Sequence, residues 1–254
     1  TPRNMKRACI SIGIDRYHHF QPLRFAQNDA RAFRDVLLQD DPAAAPQCWC
    51  IAENSPPLQG GSTYPTRENL WRWLQLVADN PSMADRLLWC FFSGYGIARE
   101  GIDYIMPIDG DPKDPENTGI RTRSLLELLR DARAAKVLLV LDAGRPEVAR
   151  SGDPFGAETV QMARQLEVPT ILSCQPGEFS RETSGWNHGI FTFALLEGLR
   201  LRQRPTLESL DRYLVDRVPE LCQHNFLPEQ VPLTVATPEQ NRMVLLPKVG
   251  AIVG

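Results

Sequence analysis

Several features that would assign this chain to a broad class are missing from its sequence. No apolar stretch approaches the roughly 18 residues that a membrane span requires, and no Gly, Ser or Pro repeat divides the 254 residues into linked parts. Basic residues are not in excess, because the net charge is −3. Since nucleic acids and anionic membranes need a basic face, we expect neither as the main partner.

The cysteines also lack the spacing of a metal or redox motif. Six are scattered, mostly inside apolar runs, and no two stand in a CxxC arrangement. This usage is typical of a reduced protein, so we expect a cytoplasmic location. The first residues lack the apolar core of a signal peptide. Because the chain begins with Thr1 rather than Met, we expect it to be a processed or excised piece of something longer.

One stretch organises the chain: the six apolar residues 87–92, which stop at a turn of sequence SGYG. A run of this length predicts a strand buried on both faces. Gly94 and Gly96 allow a sharp turn and a close backbone approach. Since sites in open α/β sheets lie beyond the carboxyl ends of the strands, we expect Tyr95 to project into any site that the protein has.

Apolar runs and helical periodicities alternate along the chain, which predicts a mostly parallel sheet of about six strands with helices on both faces. Strands are predicted over 8–14, 47–52, 87–92, 136–141, 168–174 and 243–246, with a hairpin arm over 102–108. Helices are predicted over 23–38, after the N-cap Thr66, after a capping box of Ser124 and Glu127, over 189–201, and over 207–221 after the N-cap Thr206. We expect one domain over 1–247, followed by a tail over 248–254.

The acidic, proline-punctuated loop 108–117 is the one candidate for a metal. It lacks the central glycine and the regular oxygen spacing of an EF-hand. The prediction is therefore a solvated loop and no cofactor, with calcium binding as the alternative.

Seven local sequences together resemble the caspase-like cysteine peptidases, most closely the bacterial metacaspase or orthocaspase branch. In chain order they are ISIGIDRY, QNDARAF, FFSGYG, YIMPID, LVLDAG, LSCQPGEFSRE and HGIFTFALLEGL, and they span nearly the whole chain. The resemblance implies a caspase-like α/β fold, in which a p20-like and a p10-like part form the single domain.

The resemblance also implies that the catalytic dyad is degenerate. Active relatives carry a histidine in the turn SGHG and a cysteine after Asp-Ala or Asp-Ser; here Tyr95 and Gly144 stand at those positions. The family's reaction needs a thiolate nucleophile and an imidazole that protonates the leaving amine. Glycine has no nucleophile, and a tyrosine of ordinary pKa near 10 is a poor substitute for histidine. An inactive relative of these peptidases is the expectation.

The acidic positions that choose Arg or Lys side chains in metacaspase-like enzymes are present. By resemblance, Asp29 and Asp142 match the two pocket carboxylates, and Ser93 matches a pocket-lining serine. Paired carboxylates suit a guanidinium, which binds bidentately. The plainer alternative makes Asp29 an exposed helix residue and Asp142 a loop cap. A further alternative fills the pocket from within, because Arg145 and Arg150 follow Asp142 directly along the chain.

Three functions remain open from the sequence. The leading hypothesis is a non-catalytic caspase-like module that binds a protein or peptide partner, with an acidic pocket for Arg or Lys. The second is an Arg/Lys-specific cysteine-type peptidase with a site rebuilt around Tyr95, Ser93 or a cysteine such as Cys90 or Cys174, both of which are more simply core residues. The third is a purely structural domain with a closed pocket.

Overall fold

Strands and helices alternate along most of the chain. The computed structural model describes residues 5–145, 154–201 and 204–246. The strands are β1 Lys6–Gly13, β2 Cys48–Ala52, β3 Arg86–Ser93, β4 Gly96–Arg99, β5 Ile102–Ile105, β6 Ile120–Arg121, β7 Lys136–Asp142, β8 Thr170–Leu172, β9 Glu182–Thr183, β10 His188–Gly189 and β11 Leu233–Val235. The helices are α1 Ala26–Asp40, α2 Arg67–Ala78, α3 Pro115–Thr118, α4 Thr122–Arg130, α5 Ala157–Gln165, α6 Ile190–Leu201, α7 Leu207–His224 and α8 Pro238–Asn241, with 3₁₀ turns at Pro42–Gln47 and Pro81–Met83.

A six-stranded sheet forms the centre, in the order β11-β8-β7-β3-β1-β2. Five of these strands are parallel, and β11 pairs antiparallel with β8 at one edge. The sequence-based expectation of a mostly parallel sheet of about six strands is confirmed. Because β1, β3 and β7 are neighbours, the loops that follow them meet at one edge of the sheet.

Side chains from both faces of β3 are buried, as the apolar run predicted. Trp89 and Phe91 face a layer built from α1, α6 and α7, while Cys90 and Phe92 face a second layer built from α2, α4 and α5. Each large apolar side chain buried in this way contributes about 1.5–3 kcal/mol. The central strand is therefore a rigid support for the turn that follows it.

The first helix begins three residues later than predicted, at Ala26 rather than at residue 23. Its N-terminus is capped by a residue distant in sequence: the Asp15 carboxylate accepts hydrogen bonds from the backbone N–H of Ala26 at 2.8 Å and of Gln27 at 3.4 Å. The local sequence carries no sign of this cap. The residues between β1 and α1 form a loop instead.

Two further sequence predictions were wrong. The capping box of Ser124 and Glu127 does not exist, because α4 begins at Thr122 and its N-cap makes no side-chain bond. Residues 243–246 do not form a strand; Val244 makes only an isolated bridge to Thr206. The N-caps Thr66 and Thr206 are confirmed, since each side chain accepts a bond from the N–H three residues on.

Small hairpins cover the carboxyl edge of the sheet. The predicted hairpin arm over 102–108 is shorter, since β5 ends at Ile105 and pairs with β4. The hairpin of β9 and β10 lies against α1, and both of these strands, like α5, were missed in the sequence. Among the described residues, none of the helices combines the length and the apolar character needed to cross a bilayer.

Candidate functional site

Three of the residues singled out in the sequence meet where β3 and β7 end and α1 begins. Ser93 and Asp142 are register partners on adjacent parallel strands, and the Ser93 hydroxyl donates to Asp29 Oδ2 at 3.1 Å. Both carboxylates lie over Gly189, because a Cβ placed there would be 2.8 Å from Asp142 Oδ2 and 3.1 Å from Asp29 Oδ2. The fold therefore brings both acidic side chains to one place.

Asp29 is fully buried, so the alternative of an exposed helix residue is wrong. Its Oδ1 accepts hydrogen bonds from His188 Nδ1 at 2.8 Å and from the Gly189 N–H at 3.2 Å. Burial raises the pKa of Asp29 to about 7; the hydrogen bond from His188 lowers it in part, and the nearby charge of Asp142 adds to the rise. Asp29 is thus a carboxyl group that titrates near neutral pH.

Asp142 is equally buried, and hydroxyl groups satisfy both of its oxygens. Thr192 Oγ1 donates to Oδ2 at 2.6 Å, and Ser180 Oγ donates to Oδ1 at 2.5 Å. Buried carboxylates need such donors, since an unsatisfied one would bear the full cost of desolvation.

The guanidinium of Arg145 fills the space between these groups, and only 1% of the residue is exposed. Its Nη2 lies 3.4 Å from Asp142 Oδ1 and donates to the Asp142 carbonyl at 3.0 Å and to Ser93 Oγ at 3.1 Å. Its Nε donates to the Gly94 carbonyl at 3.2 Å, and Nη1 donates to Ser180 Oγ at 3.4 Å. All three guanidinium nitrogens are therefore bonded within the chain.

The residues around Arg145 also keep its guanidinium positively charged. Burial alone would lower the pKa of this guanidinium, but the negative charges of Asp142, Glu182 and Asp29 outweigh it and hold the pKa above its ordinary value. Arg145 and Asp142 thus form a buried ion pair. Arg150, the other residue considered as an internal ligand, lies outside the described residues.

Tyr95 is fully buried and does not project into an open site. Its ring stacks on Phe20 with centroids 4.6 Å apart and meets Tyr17 edge-on at 5.0 Å. Its hydroxyl donates to the Gln21 carbonyl at 2.9 Å, and its backbone N–H donates to the Tyr17 hydroxyl at 2.9 Å. The loop after β1 therefore holds this ring in place, and the ring offers no face to a bound chain.

Gly144 adopts a backbone conformation that disfavours any side chain, with φ +80°. A Cβ at this position would lie 3.5 Å from Cys174 Sγ and 3.6 Å from the Phe155 ring. The Cys174 thiol is buried, and burial raises its pKa to about 12. A thiol of this pKa is almost entirely protonated near neutral pH, and the thiolate is the nucleophilic form.

Three residues of this network were missed in the sequence. Thr192 was the one polar residue among the apolar positions 190–196, and that interruption was a usable signal. Ser180 lies in an irregular segment and His188 in the two-residue strand β10, so no periodicity marks either of them. His188 joins the network because the hairpin of β9 and β10 lies against α1, and Ser180 joins it because its backbone N–H donates to the Gly144 carbonyl beyond β7.

Three carboxylates of the acidic loop 108–117 accept hydrogen bonds from N–H groups of the chain. Asp109 Oδ1 accepts from the Arg67 N–H at 2.9 Å, Asp111 Oδ1 accepts from the Lys113 N–H at 2.8 Å, and Asp114 accepts from Asn117 Nδ2. Within residues 5–145, 154–201 and 204–246, no three His, Cys, Asp or Glu side chains are grouped to hold a metal ion.

Comparison with known proteins identifies the fold of this chain. No family model and no curated protein matches the chain. Among solved structures, the crystal structure of caspase-1 from Spodoptera frugiperda superposes with a TM-score of 0.61, covering 92% of this chain and 88% of that chain at 15% sequence identity. At that identity the likeness is one of fold, and the chain has the caspase-like fold that its motifs implied.

Proposed function

We propose that this chain is a non-catalytic relative of the caspase-like peptidases, a protein-binding or regulatory module whose acidic pocket is occupied by its own Arg145. The observation that carries the proposal is the buried guanidinium, which bonds to Asp142, Ser93 and Ser180. Metacaspase-like enzymes place the Arg or Lys of a substrate between matching carboxylates, so Arg145 takes the place of that side chain.

The dyad positions support the same proposal. By resemblance to the bacterial metacaspase or orthocaspase branch, Tyr95 and Gly144 stand where active relatives have histidine and cysteine. The Tyr95 hydroxyl is committed to the Gln21 carbonyl, and Gly144 has a left-handed backbone. Neither residue supplies the thiolate or the imidazole that the family's reaction requires. We further propose a cytoplasmic location, supported by six buried free thiols.

Hydrolysis of fluorogenic peptides tests this function. The substrates carry Arg, Lys or Asp before the reporter group, and each is assayed with and without millimolar calcium, beside an active cysteine peptidase as control. We expect no turnover by the wild-type protein under either condition. Turnover that disappears in one point variant of the site would overturn the proposal.

A second candidate is a peptidase with a rebuilt site, and one observation favours it. Cys174 Sγ lies 3.5 Å from where a side chain at Gly144 would begin, which places a thiol beside the position of the family's nucleophile. The raised pKa of Cys174 opposes this role. Selective alkylation of Cys174 at neutral pH, blocked by an Arg-containing peptide, would favour the enzyme; equal, slow labelling of all six cysteines would exclude it.

A further inference from the structure

A mostly apolar cavity lies along the outer face of α6, and His188 stands between it and the buried Asp29. Its volume is about 400 Å³, and small-molecule sites typically have about 300–1,000 Å³. The lining consists of the apolar residues Trp186, Phe193, Leu196 and Leu201 and the polar residues His188, Glu197 and Arg200. An apolar wall with a few polar groups is the usual composition of a site for a small ligand.

The apolar part of the cavity presents aromatic rings and an exposed leucine. Trp186 stacks on Phe193 with ring centroids 4.5 Å apart and planes 19° from parallel. Leu201, the last residue of α6, is 67% exposed. A ring that stacks through one face still has its edge and its other face for a further contact, and aromatic pairs favour such offset arrangements. The walls therefore fit a flat aromatic group.

Two polar groups of the cavity make no contact with a partner in residues 5–145, 154–201 and 204–246. The Arg200 guanidinium has neither a hydrogen bond nor an ion pair there. His188 bonds to Asp29 through Nδ1, and Nε2 makes no hydrogen bond to these residues. In a neutral imidazole whose Nδ1 donates, Nε2 is an acceptor. The cavity thus offers a cation for an acid and an acceptor for a hydroxyl or N–H group.

These two groups lie towards opposite ends of α6. His188 comes just before the first residue of the helix, and Arg200 is the last residue but one. At about 1.5 Å per residue, residues 190 and 200 are about 15 Å apart along the axis. A helical side chain leans towards the N-terminus, which brings the guanidinium back towards the imidazole. A ligand that reaches both therefore needs a ring and a short acid chain.

The acidic residue of the cavity is already paired. Glu197 Oε2 accepts from Arg217 Nε at 2.8 Å and from the Tyr213 hydroxyl at 2.5 Å, and Oε1 accepts from Arg217 Nη2 at 3.2 Å. The hydrogen bond from Arg217 is the main reason why the pKa of Glu197 is lowered. The neighbouring carboxylate is thus bound to another cation and does not cancel the charge of Arg200, so the cavity favours an anion.

We propose that this cavity binds a small aromatic carboxylic acid that also carries a hydroxyl or N–H group. The ring packs against Trp186 and Leu201. The carboxylate pairs with Arg200, and the hydroxyl or N–H group donates to His188 Nε2. The site lies outside the acidic pocket and takes an anion, so it adds a ligand to the proposed function and does not depend on it. Because His188 also bonds to Asp29, a bound ligand contacts the acidic pocket through one side chain.

Three small probes separate the contributions of the ring, the charge and the donor. The probe 3-(4-hydroxyphenyl)propionate carries all three, its amide lacks the charge, and 3-phenylpropionate lacks the hydroxyl. Binding to the full chain is followed through the indole N–H signal of Trp186 in two-dimensional ¹H–¹⁵N NMR spectra, and Trp186→Phe identifies that signal among the five tryptophans.

We expect the hydroxy acid to bind about tenfold more tightly than its amide and about threefold more tightly than 3-phenylpropionate, the effects of one charged and one neutral hydrogen bond. Equal affinities for the hydroxy acid and either analogue would overturn the inference. The absence of a saturable shift of the Trp186 signal at millimolar probe would overturn it as well.

Two variants locate the effect. Arg200→Gln removes the cation and leaves His188 in place, so it should weaken the hydroxy acid about tenfold without changing the amide. Leu201→Glu puts a carboxylate beside Arg200 at an exposed position and should act in the same direction. The matched control is Arg212→Gln on α7, whose side chain is 73% exposed, and it should change neither affinity. Equal binding of the hydroxy acid by all four proteins would refute the site.

Discussion

Replacing Arg145 with Met should lower the free energy of unfolding by about 3–5 kcal/mol. The methionine keeps much of the side chain's volume but removes the cation, so the Asp142 carboxylate stays buried with hydroxyl donors alone. Removing one partner of a buried ion pair has a cost of this size, because the charge that remains is uncompensated. The loss is large against a total stability of about 5–15 kcal/mol for a folded domain.

Urea unfolding followed by tryptophan fluorescence measures this loss, since Trp89 is buried in β3, the strand that ends at Ser93. Arg145→Lys keeps the charge but not the planar guanidinium that reaches Gly94, Ser93 and Ser180. It should therefore lower the free energy of unfolding by less than Arg145→Met does. The surface control Arg212→Met, whose side chain is 73% exposed, should change stability by less than about 0.5 kcal/mol.

A double-mutant cycle separates the ion pair from the packing. When Asp142→Asn is combined with Arg145→Met, the uncompensated charge disappears. The double variant should therefore have a free energy of unfolding at least about 2 kcal/mol higher than that of Arg145→Met. If Arg145→Met costs under about 1 kcal/mol and the two substitutions simply add, then Arg145 is not a structural member of the pocket. The reasoning for an occupied pocket would then be refuted.

Three further predictions concern the neighbours of Arg145. Burial raises the pKa of Asp29 from about 3.8 to about 7, so between these pH values the folded protein holds a proton that the unfolded chain has lost, and the free energy of unfolding should fall as the pH rises from about 4 to about 7. Urea titrations of Asp29→Asn should show a smaller fall, and an unchanged dependence on pH would contradict the prediction. Tyr95→Phe loses the hydrogen bond to Gln21 and should cost about 1 kcal/mol in the same assay, whereas no loss would mean that the hydroxyl is solvated. Gly189→Ala places a Cβ 2.8 Å from Asp142 Oδ2 and should lower the thermal midpoint by several degrees, while a neutral effect would show that the two carboxylates do not lie over this residue.

The parts of the fold that could be predicted are those whose cause is local. The run 87–92 is apolar on both faces and became the central strand β3, and Thr66 and Thr206 cap the helices that follow them. Alternation of strands and helices was sufficient for a mostly parallel sheet. Since the ends of adjacent parallel strands meet at one edge, the proximity of Ser93 and Asp142 also followed from the order of the strands.

The parts that could not be predicted depend on contacts between distant segments. The start of α1 is fixed by Asp15, eleven residues before Ala26, and the Glu182 carboxylate binds the preceding turn from 158 residues away. His188 reaches Asp29 over a sequence separation of 159 residues. From the sequence, occupation of the pocket by Arg145 was only one of several alternatives. The residue types of a loop do not by themselves fix its path, so the sequence could not decide between them.

Chemical rescue most directly tests the claim that Arg145 occupies the acidic pocket of Asp29, Asp142 and Ser93. The Arg145→Ala protein is titrated with millimolar ethylguanidinium while its thermal midpoint is followed, with the wild-type protein and Arg145→Ala/Asp142→Asn as controls. A ligand that binds the folded state alone raises its midpoint, so we predict a rise for Arg145→Ala that is absent from both controls. An equal rise in the wild-type protein would contradict the account, because it would mean that the acidic pocket is already open.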